Sequence, residues 1–139
     1  MKELPATQGS LVLRTDFSDS LAWEQICVAI QQPQTEHGFQ ARVECISDPT
    51  FTGLTPENVV SLSTGPYRAF VFLVDSDTIS NPEHPVLVVD LNREPGRTFR
   101  VIPSEMWGVE NNLSLANMDF DEFAAAADED GVFRGFSGS

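Results

Sequence analysis

The sequence predicts an α/β fold. One three-layer domain is built on a mixed five-stranded sheet, in the order βαβα, then three strands, then two helices, with helices on both faces. Three observations carry the prediction. Short apolar runs (Leu11 to Leu13, Ala69 to Val74, Val86 to Val89) alternate with segments whose apolar residues recur at helical spacing. The run Ala69 to Val74 has no polar residue, as expected of a strand covered on both faces. The 139 residues, 41% of them hydrophobic, suffice for one core without a metal or disulfide, since chains of this size bury about 70% of their unfolded surface. The domain is expected to span 1–139, with flexible ends at 1–9 and 137–139.

Leu11-Val12-Leu13 before Arg14-Thr15-Asp16 reads as a buried strand with a polar end. Ser18-Asp19-Ser20 supplies capping residues. Trp23, Ile26, Cys27 and Ile30 then follow at i, i+3, i+4, i+7, a helix that Pro33 ends. Phe39, Ala41, Val43 and Cys45 alternate with Gln40, Arg42 and Glu44, which predicts a half-exposed edge strand. Thr55-Pro56-Glu57 opens a short helix that fades by Gly65, with Thr as N-cap and Pro in the first turn. After the strand Ala69 to Val74, only Ser76 to Pro85 precede the next apolar run. A parallel crossover needs about a dozen residues or more, so the run Val86 to Val89 is expected to be antiparallel or to follow a single helical turn.

Glu94-Pro95-Gly96-Arg97 has the residue types of a type II turn and makes a hairpin with Phe99-Arg100-Val101. A helix from Pro103-Ser104 carries the stripe Met106, Val109, Leu113, Ala116. Asp119 with Glu122 is a capping box for another helix, bearing Phe120 and Phe123. Gly131 ends it, and Val132 to Phe136 can add a last short strand.

The charge excludes several functions. With 21 acidic against 8 basic side chains, the formal net charge is −13. Nucleic acid and anionic membrane are not expected partners, because both need Lys and Arg to neutralise them. The single lysine, Lys2, excludes a P-loop, a Schiff base and a kinase-type lysine. The start MKELPATQGS has no apolar signal core, and no apolar run approaches the roughly 20 residues of a membrane span. A cytoplasmic protein is expected. Cys27 and Cys45 are read as buried free thiols, with a bridge between them as the alternative.

Phe70 to Thr78, an apolar strand ending in Asp75-Ser76-Asp77-Thr78, resembles the nucleophile motif of haloacid-dehalogenase-type phosphatases. That resemblance implies phosphoryl transfer at Asp75, acid–base work at Asp77 and Mg²⁺ beside both. The chemistry also needs a cation on the transferring group, and no lysine follows residue 2. The motif is therefore read first as strand-end aspartates capping a turn. Asp16, Asp48, Asp75 and Asp90 all follow expected strands, where α/β ligand sites form. Antiparallel pairing sends Asp90 to the opposite edge from Asp75. His37 and His84 both fall in loops, without zinc-ligand spacing.

Arg14 shares a strand face with Asp16. A charge inside an apolar strand needs a partner, so an internal salt bridge is expected at Arg14; a bound carboxylate or phosphate is the alternative. The helix from Pro103 holds Trp107, Glu110, Asn111 and Ser114 on the side away from its apolar stripe. Asn and Gly are poor helix formers and Trp is a favoured interface anchor. This stripe is the candidate recognition surface.

Several strings together point to a family: Leu11 to Asp19 (LVLRTDFSD) with Trp23; Glu83 to Leu91 (EHPVLVVDL); Phe99 to Trp107 (FRVIPSEMW); Glu110 to Phe120 (ENNLSLANMDF); Asp130 to Gly135 (DGVFRG). They resemble a family of small acidic proteins of unknown function met mostly in actinobacteria. The resemblance covers about residues 4 to 136 and implies a single-domain bacterial protein, without carrying over an activity.

The expectation from the residues is a non-enzymatic acidic binding or accessory protein. It would recognise a protein partner, possessing no cofactor, with an inhibitor- or immunity-like role. The candidate binding residues are Arg14, Asp16, Trp107, Glu110, Asn111 and Ser114. The alternative is a divalent-metal-dependent enzyme or a small-ligand sensor built on Asp75, Asp77 and the other strand-end aspartates.

Overall fold

Short runs of β-branched and aromatic residues, punctuated by Asp, Pro and Gly, become six strands rather than five. In the computed structural model, which describes residues 3–33, 38–63 and 68–136, the order is β1 (Ser10–Arg14), α1 (Ser20–Gln31), β2 (Val43–Ile46), α2 (Pro56–Leu62), β3 (Phe70–Val74), α3 (Ser76–Ser80), β4 (Val86–Asp90), β5 (Thr98–Val101), α4 (Met106–Ser114), α5 (Phe120–Ala126) and β6 (Val132–Phe133). Single 3₁₀ turns at Pro49–Phe51 and Pro103–Glu105 precede α2 and α4. The sheet runs β2-β1-β3-β4-β5-β6. β2, β1 and β3 are parallel; β4 is antiparallel to both β3 and β5, and β6 is parallel to β5.

Period-two alternation sorts the strand residues between two cores. Val12, Phe70, Phe72, Val74, Val86, Val88, Phe99 and Val101 face α1, α4 and α5, where they meet Trp23, Ile26, Met106, Val109, Phe120 and Phe123. Leu11, Leu13, Val71, Leu73, Leu87 and Val89 face the other way, onto Phe51, Leu54 and Val59 of the α2 layer. The helix starts are the expected ones. The Asp19 carboxylate accepts from the Ala22 N–H at 3.0 Å. Thr55 and Asn58 exchange capping bonds around Pro56. Asp119 N–H donates to Glu122 at 3.1 Å. The Glu94–Arg97 turn closes with Arg97 N–H on the Glu94 carbonyl at 2.9 Å, and Gly96 takes φ 97°.

Three local expectations are corrected. The sixth strand is held by β5, with Arg100 N–H on the Gly131 carbonyl and Ile102 N–H on that of Phe133. The cluster of Arg134 with Glu83, Asp128 and Asp130, at 2.7–2.8 Å, clamps the chain just after it. The second strand starts at Val43, leaving Phe39 outside it and 54% exposed. Ala116 is exposed, with φ 56°, and terminates the α4 stripe instead of extending it. Residues 3–9 make contacts with the body of the domain. Leu4 packs on the second core, the Pro5 carbonyl accepts from Arg68, and the Gln8 and Gly9 N–H groups donate to Glu44. The turn containing His37 and the end of the second helix at Gly65 lie outside the described residues. Among the described residues, no helix is long and apolar enough to cross a membrane.

Candidate functional site

The four α4 residues singled out above stand at i, i+3, i+4 and i+7, so one side of the helix carries them all. Met106, Val109 and Leu113 anchor α4 on the sheet. That docking turns the flanking stripe toward the β2 edge, against the amino ends of β1 and β2. A cleft of about 980 Å³ opens there. Gln8 to Ser10, Gln40 to Glu44, Gln31 of α1, and Glu110, Asn111, Ser114 and Leu115 line it.

Glu110 departs from its expected exposed position. It is 4% exposed. Its Oε1 accepts from the Arg42 backbone N–H at 2.8 Å, and its Oε2 from the hydroxyls of Ser10 (2.9 Å) and Ser114 (2.7 Å). A carboxylate this buried persists only when hydrogen bonds replace its water. Glu110 is therefore the buttress of the cleft wall, joining α4 to β1 and to the approach of β2. Asn111 Nδ2 donates to the carbonyls of Trp107 (2.6 Å) and Gln40 (3.4 Å). Trp107 does not line the cleft. It stacks on Phe39 beside it, with centroids 5.6 Å apart and planes at 12°. Leu115, 68% exposed, closes the rim.

Arg14 and Asp16 lie at the other end of β1, roughly 13 Å away along the strand, and do not belong to this cleft. Among the described residues, the partners of Arg14 are neutral groups in place of the expected salt bridge. The guanidinium, 6% exposed, donates to the Asp16 backbone carbonyl (3.2 Å) and to the hydroxyls of Ser47 (3.3 Å) and Ser20 (3.1 Å). It also lies over Phe17 at 4.4 Å and Trp23 at 5.6 Å. Ring faces and oxygen dipoles thus hold the charge, and Arg14 cross-links the carboxyl ends of β1 and β2 to the start of α1. The Asp16 carboxylate folds back on Ser18, accepting from its N–H at 2.8 Å and its hydroxyl at 2.5 Å. A shallower crevice, about 600 Å³, opens here between the ends of β1 and β3, lined by Thr15 to Ser18, Thr52 to Leu54, Asp75 and Ser76.

Asp75 and Asp77 are already engaged. Asp75 caps α3 through the Thr78 N–H (3.1 Å), and its two oxygens take Arg100 at 3.0 and 2.7 Å. Arg100 also reaches Asp77 at 3.4 Å. Burial alone raises the Asp75 carboxyl, but the Arg100 hydrogen bonds and charge, with Thr78, outweigh it and hold the carboxyl below its ordinary range. The same pairing raises Arg100 against the opposing effect of burial. A guanidinium occupies the place where the phosphatase-like reading puts a metal. Among the described residues, no three His, Cys, Asp or Glu side chains gather to hold a metal ion. His84 sits in its expected loop, with Nδ1 2.9 Å from the Thr78 carbonyl.

Sequence reasoning missed four contributors: Phe39 as the stacking partner of Trp107, Ser10 and Arg42 as the partners of Glu110, and Arg100 as the counter-ion of Asp75. The isolated Arg between Phe99 and Val101 was the one visible signal. The other pairings span gaps of 68 to 100 residues in the chain.

Fold and site together define a layered α/β protein with a mixed sheet and a cleft at its β2 edge. The chain belongs to the family described as Domain of unknown function (DUF6924), whose model matches residues 9–136. No curated protein matches it.

Proposed function

We propose that this is a non-enzymatic acidic binding protein of the cytoplasm, which takes a protein partner at the cleft between α4 and the β2 edge. The observation that carries the reading is the Glu110 buttress beside the Phe39–Trp107 stack. A fixed polar wall adjoins exposed aromatic and aliphatic surface, the mixture from which protein-binding patches are made. The cleft is open and its lining is rich in amides, which suits a partner's side chains and backbone. The partner is a basic protein, and the role is inhibitor- or immunity-like. Arg97, Arg100 and Arg134 are engaged by carboxylates of the same chain, so the net charge of −13 presents an acidic field that speeds encounter with a basic surface.

Affinity capture from the source cells, with Trp107→Ala, Phe39→Ala and Asn111→Ala beside the parent chain, tests this. A basic protein retained by the parent and by Asp77→Asn, but lost from the aromatic variants, supports the reading. Equal retention by all variants removes the surface assignment.

A second reading, a small-ligand sensor, is favoured by one observation. The crevice at Thr15, Asp16 and Ser76 lies at the carboxyl ends of the adjacent parallel strands β1 and β3, beside the loop that leads into α2, the general position of ligand sites in open α/β sheets. Calorimetric titration with Mg²⁺, Mn²⁺ and Ca²⁺ separates the metal version of that reading from the partner reading: heat at micromolar metal supports it, and none at millimolar metal rejects it.

A further inference from the structure

Cys27 and Cys45 stand 18 positions apart in the chain, and the fold brings their side chains together. Cys27 lies on the stripe of α1 that carries Trp23, Ile26 and Ile30 into the core. Cys45 pairs with Val12 across the β2–β1 ladder and shares its face. Both residues are partly buried, both pack against the same core, and both are free thiols. They lie close enough that each thiol is the main influence on the other's titration. Arg14 shares this face of β1 with Val12, and its charge acts on Cys27. Nothing in the cleft or in the α3 motif uses this pair.

We propose that Cys27 and Cys45 form a thiol–disulfide modification site, in which a peroxide joins them by an intramolecular bond that ties α1 to the edge strand β2. Cys45 stands on the edge strand of the sheet and serves as the attacking sulfur, with Cys27 on α1 as the resolving thiol. The lowering of the Cys45 thiol and the raising of the Cys27 thiol by their mutual proximity agree with that order.

The Cys45 sulfur attacks one peroxide oxygen. The O–O bond breaks, hydroxide leaves and collects a proton as the first water, and Cys45 becomes a sulfenic acid. The Cys27 sulfur then displaces that hydroxyl, the S–S bond forms, and the Cys27 proton departs with the hydroxide as the second water. The two thiols lose two electrons and the peroxide gains them. A disulfide fixes the Cα atoms about 4.4–6.8 Å apart, so oxidation locks an α1–β2 separation that two free thiols leave adjustable. α1 carries Gln31 and β2 carries Val43 and Glu44, all lining the cleft. The bond would join two of its walls, whatever occupies it.

The test is exposure of the reduced full chain to hydrogen peroxide, followed by alkylation, intact mass and peptide mapping. The expected result is a monomer lighter by two hydrogens that resists alkylation until dithiothreitol is added. It yields a Cys27–Cys45 linked peptide at a rate independent of protein concentration. In Cys27→Ser, dimedone traps Cys45 as its sulfenic acid. Alkylation of both cysteines after peroxide, disulfides only between chains, or over-oxidation of one cysteine while the other stays free overturns the proposal. The wild-type mass decides the matter even if the serine variant fails to fold.

Discussion

Replacing Glu110 by alanine tests the buttress directly. The substitution removes an acceptor from the Arg42 N–H and from two hydroxyls. A donor stranded in a partly buried position costs about 1–3 kcal/mol, and hydrogen bonds to a charged group are worth about 1.5–3 kcal/mol each. The losses do not sum, for two reasons. Ser10 and Ser114 lie 3.5 Å apart and can turn toward each other, and removing a buried charge returns its desolvation cost. The Arg42 N–H has no such recourse, so Glu110→Ala is expected to cost about 2–4 kcal/mol. Glu110→Gln keeps an oxygen for Arg42 and lets both hydroxyls rotate to accept from the new amide, a loss of about 1 kcal/mol. Urea unfolding followed by circular dichroism reads both as shifts in midpoint at constant slope. An alanine variant within about 0.5 kcal/mol of the parent, the range of unremarkable surface changes, would refute the buttress. A glutamine variant as damaged as the alanine one would refute the division of labour between backbone and hydroxyl partners.

The other expectations concern the sheet and its two ends. Asp75 is held below the ordinary carboxylate value of about 3.9 when folded. Its stabilisation is therefore complete above that value and is lost as pH falls through the lowered one; Asp75→Asn should flatten the acid limb of a stability–pH curve below about pH 4, and an unchanged limb would contradict the pairing. Arg100→Met should lower Tm at neutral pH, because it leaves Asp75 without its counter-ion; a thermal scan that matches the parent would show the pair to be dispensable. Gly9→Ala should destabilise by about 1–3 kcal/mol, since a Cβ there meets the Arg42 carbonyl oxygen at 2.9 Å, and denaturant unfolding with an unshifted midpoint would show that β1 and β2 separate freely.

Much of the fold was legible because its causes are local. Helix starts at Asp19, Thr55 and Asp119 follow from side chains bonding N–H groups two or three residues on. The antiparallel β3–β4 pair follows from a connection too short to cross over. Two features show where locality ends. The run Val132 to Phe136 reads as an optional last strand, and its pairing at Val132-Phe133 exists because β5 offers an edge and Arg134 anchors the exit. Glu110 reads as exposed because it lies off the apolar stripe, but the amino ends of β1 and β2 cover it at the middle of that side of α4.

The candidate site was legible in part for the same reason. Helical spacing alone put Trp107, Glu110, Asn111 and Ser114 on one stripe; the last three line the cleft and Trp107 stands beside it. Arg14 and Asp16 were chosen on equally sound local grounds and lie at the opposite end of β1, because strand order and direction are not encoded within either segment. The sequence by itself determined the fold class, the caps, the turns and the acidity, all products of side chains and backbone within a few positions of each other. Only the tertiary structure decided which charges are paired, that Arg100 stands where a metal would, that Cys27 meets Cys45, and which face of α4 is covered. Those contacts join residues far apart in the chain, and their energy exists only once the sheet has brought them together.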